Sequence, residues 1–175
     1  LIFADGSMSR HNKSLVSIRL AQEDEEYLRQ INRAMGHTKP LYYVHRKFMI
    51  SPCNKKIYPT QTTCILDLTR MAICQDLRRL GVCVNKTRVD LSLPPVPNEM
   101  IRWFILGLFE GDGWLTYSTR PDGTVHTGNF GIALSETLGR QISEHLDKHL
   151  CIGPGAMKQI GAVWKLTYAS QPVIC

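Results

Sequence analysis

Two carboxylates stand out for where they fall. Asp5 closes the run Leu-Ile-Phe-Ala-Asp-Gly at residues 1–6, and Asp112 closes Ile-Leu-Gly-Leu-Phe-Glu-Gly-Asp-Gly at residues 105–113. Each follows an apolar stretch and a small residue, Ala4 or Gly111, and each precedes a glycine. An unpaired charge at the end of a buried apolar helix is costly, so two copies point to a pair of acids meant to meet. Gly107 and Gly111 lie at i and i+4, where small residues on one face let two helix backbones approach closely. Ala4 takes the place of Gly111 in the first copy. A close crossing there sets Asp5 beside Asp112, and two such carboxylates repel unless a divalent cation lies between them. An oxygen donor set suits Mg2+ or Mn2+, with Asp5, Asp112, Ala4 and Gly111 as the metal-site residues. A metal held this way generates hydroxide from water and stabilises the leaving oxygen of a phosphodiester. The plainer reading makes each Asp-Gly a helix-to-strand turn. Matched apolar runs, each followed by the same order of elements, favour the paired site.

The elements that would position these acids repeat along the chain. After Asp5-Gly6, strands are expected over 7–10 and 15–20, with Val16, Ile18 and Leu20 facing one way and Ser17 and Arg19 the other. A helix over about 22–35 places Leu28, Ile31 and Met35 on one face and ends at Gly36. A second hairpin spans 41–50 and 57–68, turning through residues 51–54. A helix over 69–80 follows, with Ala72 or Ile73, Leu77 and Leu80 inward and Gly81 just past its end. After Asp112-Gly113 the order recurs: a strand over 114–119, a turn at Pro121-Asp122-Gly123 and a strand over 128–134. Then come a helix from the N-cap Ser135 to about Leu150, with Leu138, Ile142 and Leu146 inward, a glycine turn at 153–155 and a strand over 162–168. Asn98 and Glu99 are placed to cap the central helix. The chain therefore divides into a first half (1–92, its first helix shortened), a proline-rich linker (93–97) and a second half (98–175, its last helix missing). The fold class is α+β: two pseudo-symmetric αββαββα halves whose antiparallel sheets carry helices on one face and leave the other open, forming a saddle.

Composition narrows the partner. The 175 residues carry a net charge of +6, and the charge is uneven. Residues 1–90 hold 15 Lys and Arg against 8 acids, whereas residues 91–175 hold 6 against 7. The stretches 6–22 and 37–66 contain eight Lys and Arg and no acid. Such segregation marks a polyanion-binding surface, or a solvated basic sheet face without a partner. None of the six cysteines forms a C-x-x-C pair, and four sit beside apolar residues, which argues against a disulfide or zinc framework and for a reducing, intracellular compartment. No apolar stretch approaches a membrane span and no secretory signal is visible. The chain begins with Leu1 inside an apolar run, which reads as an internal piece of a longer protein.

Residues 105–113 resemble the LAGLIDADG motif, matching it in residue type at every position, and residues 1–6 resemble the end of a first copy. The repeat after each motif is similar to that of the double-motif LAGLIDADG homing endonucleases, monomers that imitate a dimer. The resemblance implies that Asp5 and Asp112 each serve one DNA strand, cutting across the minor groove to leave short 3′ overhangs. It also implies that Lys86, just before the linker, is a basic residue near the active site, polarising water or stabilising the pentavalent phosphate; the plainer reading is a surface lysine in a polar loop. For DNA reading it implies Ser9, His11 and Lys13 in the first copy and Thr116, Ser118 and Arg120 in the second. The polar faces of the return strands add Ser17, Arg19 and Asn129, and the second hairpin adds Tyr43, His45 and Lys47. The implied partner is double-stranded DNA with a long, pseudo-palindromic target.

Two features are set aside. His145 and His149 have metal-pair spacing but lack the Glu of an H-E-x-x-H pattern and flank the inward Leu146, so they read as surface residues. The triplet Asn85-Lys86-Thr87 matches a glycosylation acceptor by chance in a chain that is not secreted. The function expected is a Mg2+-dependent, site-specific endonuclease that mobilises an intron or intein. The alternative is an intron RNA maturase, or a DNA-binding regulator that has lost cutting, on the same scaffold.

Overall fold

A computed structural model of the chain describes residues 1–11, 14–36, 39–45, 48–50, 55–59 and 61–169. Contacts divide it into two compact units, one of Ile2 with residues 4–77, the other of Leu1, Phe3 and residues 78–175.

In the first unit, helix α1 (Ile2–Asp5) runs directly into β1 (Gly6–Met8), which pairs antiparallel with β2 (Val16–Ala21). β2 pairs with β6 (Thr63–Leu68) and β6 with β3 (Tyr42–Val44), giving the order β1-β2-β6-β3. Strands β4 (Phe48–Ile50) and β5 (Ile57–Pro59) form a separate two-stranded ribbon. The hairpin expected over 41–50 and 57–68 thus forms as two shorter paired pieces, and its turn at 51–54 lies outside the described residues. The alternation of β2 holds in part: Val16 and Ile18 are fully buried and Arg19 is exposed, but Ser17 between them is buried as well. Against them pack Leu28 of helix α2 (Glu25–Ala34) and Cys64, Leu66 and Leu68 of β6, all without solvent exposure. Helix α2 ends at Gly36, which adopts a left-handed φ of 60°, a conformation that only glycine takes without strain. In helix α3 (Met71–Arg79) the fully buried side chain is Cys74, whereas Ala72 is exposed and Ile73 and Leu77 are half-buried. A small thiol meets the sheet where a larger aliphatic was expected.

The second unit repeats the plan. Helix α4 (Asn98–Asp112) leads into β7 (Gly113–Thr119), β8 (Val125–Leu134), helix α5 (Glu136–Leu150), β9 (Ala156–Ile160) and β10 (Val163–Ala169). Its sheet order, β7-β8-β10-β9, matches that of the first unit strand for strand. The core joins Ile101, Ile105 and Leu108 of α4 to Ile132 and Leu134 of β8, Leu138 and Ile142 of α5, and Leu166 and Tyr168 of β10. Strand β9 was not anticipated. Only Met157 of its five side chains is even half-buried, so no apolar alternation marks it.

The helix starts also differ from expectation. Asn98 and Glu99 do not cap α4; the residue preceding the helix is Pro97, in extended conformation, and no side chain closes the end. The Ser135 hydroxyl, expected to cap α5, instead accepts from the Leu91 amide at 2.9 Å and donates to the Leu91 carbonyl at 3.0 Å. The cap comes from a distance: Asp90 accepts from the Thr137 amide at 2.9 Å and from its hydroxyl at 2.5 Å. A carboxylate suits a helix N-terminus, where unpaired amides and the macrodipole both favour negative charge. Further along, the Leu93 amide donates to Gln141 at 2.7 Å, and Leu91, Leu93 and Val96 pack on the core. The proline-rich segment is therefore part of the second unit, whose boundary falls after Leu77. Among the described residues no helix is long and apolar enough to cross a membrane, and Cys64, Cys74, Cys83 and Cys151 are free thiols.

Candidate functional site

The two motif ends share one geometry. Asp5 is the last residue of α1 and Asp112 the last of α4, and each helix passes straight into a strand at the following glycine. A Cβ on Gly6 would sit 2.6 Å from the carbonyl oxygen of Ile2, and one on Gly113 would sit 2.3 Å from that of Phe109. Both carbonyls lie four residues back. Glycine is required here for clearance and not for backbone freedom, since Gly113 has an ordinary extended φ of −88°. Asp5 is half-buried and Asp112 exposed, so neither acid is interred in its apolar helix, and solvent relieves the burial cost anticipated for them.

A cost remains. A carboxylate on the last turn of a helix faces the negative end of the macrodipole, an arrangement unfavourable by about 0.3–1 kcal/mol. The 15-residue α4 carries it at Asp112, and Asp5 takes the equivalent place at the end of the single-turn α1. Each end offers a carboxylate and, one residue earlier, the main-chain carbonyl of Ala4 or Gly111, from the turn where carbonyls lack a helical partner. Such hard oxygen donors fit Mg2+ or Mn2+, which need only one or two carboxylates and complete their shell with water and phosphate.

Lys86 is not a surface lysine in a polar loop. A left-handed Asn85 (φ 56°) turns the chain into one 3-10 turn, and the half-buried Lys86 donates through Nζ to the carbonyl oxygen of Phe3 at 2.7 Å. Phe3 also sets its ring edge-on to Phe104 of α4, with centroids 4.9 Å apart. A Cβ on Gly107 would come within 3.2 Å of the Leu1 nitrogen. Lys86, Phe3 and Phe104 are thus fastened together inside the second unit.

The strand registers sort the DNA-reading candidates. In the second sheet, Thr116 pairs with Asn129 and Ser118 with Thr127, on the face opposite the core residues Phe130, Ile132 and Leu134. Thr116 and Ser118 are exposed, Asn129 is half-buried, and the Ser118 and Thr127 hydroxyls share a 2.6 Å hydrogen bond. Arg120 is exposed at the hairpin end, its amide bonded to the Thr124 carbonyl at 2.8 Å. In the first sheet Arg19 is exposed on the open face. Ser17 is not free there: it is 7% exposed and donates to Asp67 Oδ1 at 2.5 Å from its register partner on β6. Tyr42, not Tyr43, shares that face, its hydroxyl donating to Asp67 Oδ2 at 3.2 Å. Tyr43 pairs with the buried Cys64 and bonds Glu25 at the start of α2, which holds the Glu25 carboxyl below its ordinary range and raises the Tyr43 phenol. Tyr43 therefore belongs to the helix side of the sheet. His45 is tied to Thr62 at 2.9 Å, Ser9 donates its amide to Leu15 and His11 is exposed. Lys13 and Lys47 lie outside the described residues.

Three residues on these faces escaped the sequence reading. Asp67 falls one position past the acid-free stretch 37–66, at the centre of the first open face. Lys158 and Lys165 pair directly across β9 and β10, and the Lys165 ammonium sits 5.0 Å from the Trp114 ring centroid. The even charge of the second half concealed them, because its acids lie on α4, α5 and the 120–124 turn and none lies on a strand.

No family model and no curated protein matches the sequence. Solved structures do match the fold. The LAGLIDADG homing endonuclease I-GzeII in complex with its DNA target aligns with a TM-score of 0.53 at 10% identity, over 99% of this chain and 79% of that one. The fold is the LAGLIDADG fold. The LAGLIDADG meganuclease I-CpaMI bound to uncleaved DNA gives a TM-score of 0.52 at 12% identity, over 97% and 77%. Full-length DUF199/WhiA from Thermatoga maritima gives 0.51 at 12% identity, over 97% of this chain and 48% of that one, so this chain spans about half the length of that protein. At such identities the shared property is the fold alone.

Proposed function

We propose that the chain acts as a site-specific, divalent-metal-dependent DNA endonuclease of the LAGLIDADG type. The observation that carries this reading is the equivalence of the two Asp-Gly ends: same helix position, same clearance over the carbonyl four residues back, same passage into an edge strand. A pure turn has no need of an acid at a helix C-terminus, where the macrodipole disfavours it. In this reading Asp5 and Asp112 each hold a metal site through their carboxylates with Ala4 and Gly111, and each serves one strand across the minor groove, leaving short 3′ overhangs. A bound Mg2+ or Mn2+ would lower the pKa of a water and offset charge on the leaving oxygen. In the same reading Lys86, which donates to the Phe3 carbonyl, supplies positive charge to the phosphate. The open faces, with Arg19, Thr116, Ser118 and Asn129, supply the groove contacts to a long, pseudo-palindromic duplex, bound by one chain acting as a pseudo-dimer.

The test is cleavage of a randomised duplex library in Mg2+ by the wild type, Asp5→Asn and Asp112→Asn. The reading expects double-strand cuts from the wild type and their loss, with binding retained, in both variants. Binding without cutting in all three would overturn it. A second reading, a DNA-binding or intron-RNA-binding protein without cleavage, draws support from the likeness to WhiA, which unlike the other two neighbours is not named an endonuclease.

A further inference from the structure

We propose that Lys158, Lys165 and Trp114 form a phosphodiester clamp on the open face of the second sheet, with Trp114 as the positioning residue. The inference rests on the DNA-binding reading above. Lys158 and Lys165 are directly opposed partners of an antiparallel pair, so both side chains leave the sheet on one side. That side is the open one: Lys165 alternates with the core residue Leu166, pairs with Ala133 on β8, and shares its face with Asn129 and Thr116 further along the sheet. Like charges set directly opposite destabilise a strand pair. Neither lysine has an ion pair among the described residues, and the four strands of this sheet contain no acid. A pair of cations maintained without internal neutralisation is built for an external anion.

Trp114 gives the pair a fixed shape. It stands opposite Gly131, and a Cβ there would collide with the indole at 2.4 Å and with the Leu166 carbonyl at 2.6 Å. The missing side chain lets the indole lie close over the sheet, where its ring takes the Lys165 ammonium at 5.0 Å. Tryptophan is the strongest cation–π partner among the aromatics. A long lysine stem restrained in this way loses less conformational freedom on meeting a phosphate oxygen. The clamp begins two residues after Asp112, so it would hold the backbone next to the scissile position and set register without reading a base.

The experiment measures binding of the full chain to duplex DNA as a function of NaCl, for the wild type, Lys165→Met, Lys158→Met, Trp114→Phe and the double variant Trp114→Phe/Lys165→Met, with thermal melts as a folding control. Each lysine loss is expected to lower the slope of log K against log [salt] by about 0.9, the value of one released phosphate contact. Trp114→Phe should weaken binding several-fold, and should have no further effect once Lys165 is gone. Wild type that binds no DNA overturns the endonuclease reading and the clamp with it. Wild type that binds with a slope unchanged by either lysine substitution overturns the clamp alone, as does additivity of Trp114→Phe with Lys165→Met. Titration with inorganic phosphate is the remaining arm: tight uptake abolished by Lys165→Met, with DNA binding untouched, would make the pair a free-anion site and reject the proposal.

Discussion

Lys86 Nζ donates to the carbonyl oxygen of Phe3 at 2.7 Å, joining residues 83 positions apart. The bond places a cation against the C-terminal turn of α1, where positive charge offsets the exposed carbonyls. Lys86→Met should cost about 1 kcal/mol in urea unfolding, less than the full worth of a charged hydrogen bond because the lysine is only half-buried. Lys86→Arg keeps the charge and should recover most of it. If cleavage by Lys86→Met falls by far more than tenfold while the protein remains folded, the lysine also acts on the phosphate; a loss explained by unfolding alone would confine it to the helix end.

Gly6 and Gly113 make a second prediction. Alanine at either must displace a main-chain carbonyl, so each substitution should destabilise by about 3 kcal/mol, the upper range for overpacking. Gly36→Ala is the contrast: its φ of 60° is left-handed but a Cβ there meets nothing within 4 Å, so it should cost about 1 kcal/mol. Equal losses at Gly36 and Gly113 in denaturant titrations would refute the clearance argument.

Asp90 makes a pH prediction. The Thr137 hydroxyl and amide hold its carboxyl below the ordinary 3.8. A folded-state pKa below the unfolded one stabilises the protein above the unfolded value, and the stability is lost as pH falls through the folded value. Asp90→Ala should therefore cost up to about 1 kcal/mol at pH 7, as loss of an N-cap does, and the gap between variant and wild type should close as pH drops below about 3.8. A gap that persists unchanged at pH 2 would show that the cap does not depend on charge.

Arg19 and Tyr43 separate the two sides of the first sheet. Arg19→Ala should weaken DNA binding several-fold and flatten its salt dependence, whereas Tyr43→Phe should leave both unchanged because that hydroxyl is committed to Glu25 on the helix side. Electrophoretic mobility shifts at two salt concentrations decide between them, and a strong effect of Tyr43→Phe would reverse the assignment of faces.

Much of the architecture was legible because it rests on local pattern. The alternation of Val16 and Ile18, the glycines after α2 and α3, and the recurrence of elements after each Asp-Gly all lie within short windows of sequence. The features that escaped depend on partners far away. Ser17 reads as open until Asp67, fifty residues on, arrives as its register neighbour. Ser135 reads as an N-cap until Leu91 claims its hydroxyl and Asp90 supplies the cap. Tyr43 was placed by extending one pleat through residues 41–50, but β3 is three residues long and its parity is set by pairing with Cys64. Lys158 and Lys165 were hidden by averaging charge over a half whose acids occupy its helices.

The glycines behind the two acids carry information of a different kind from the acids themselves. A descendant of this chain can exchange Asp5 or Asp112 and remain folded, since both carboxylates reach solvent. It cannot exchange Gly6 or Gly113 without rebuilding the helix-to-strand passage. In a distant relative, a changed acid beside a kept glycine would mark a protein that abandoned its chemistry, while a changed glycine would mark one that abandoned the scaffold. The two neighbouring letters keep separate histories, one of activity and one of shape.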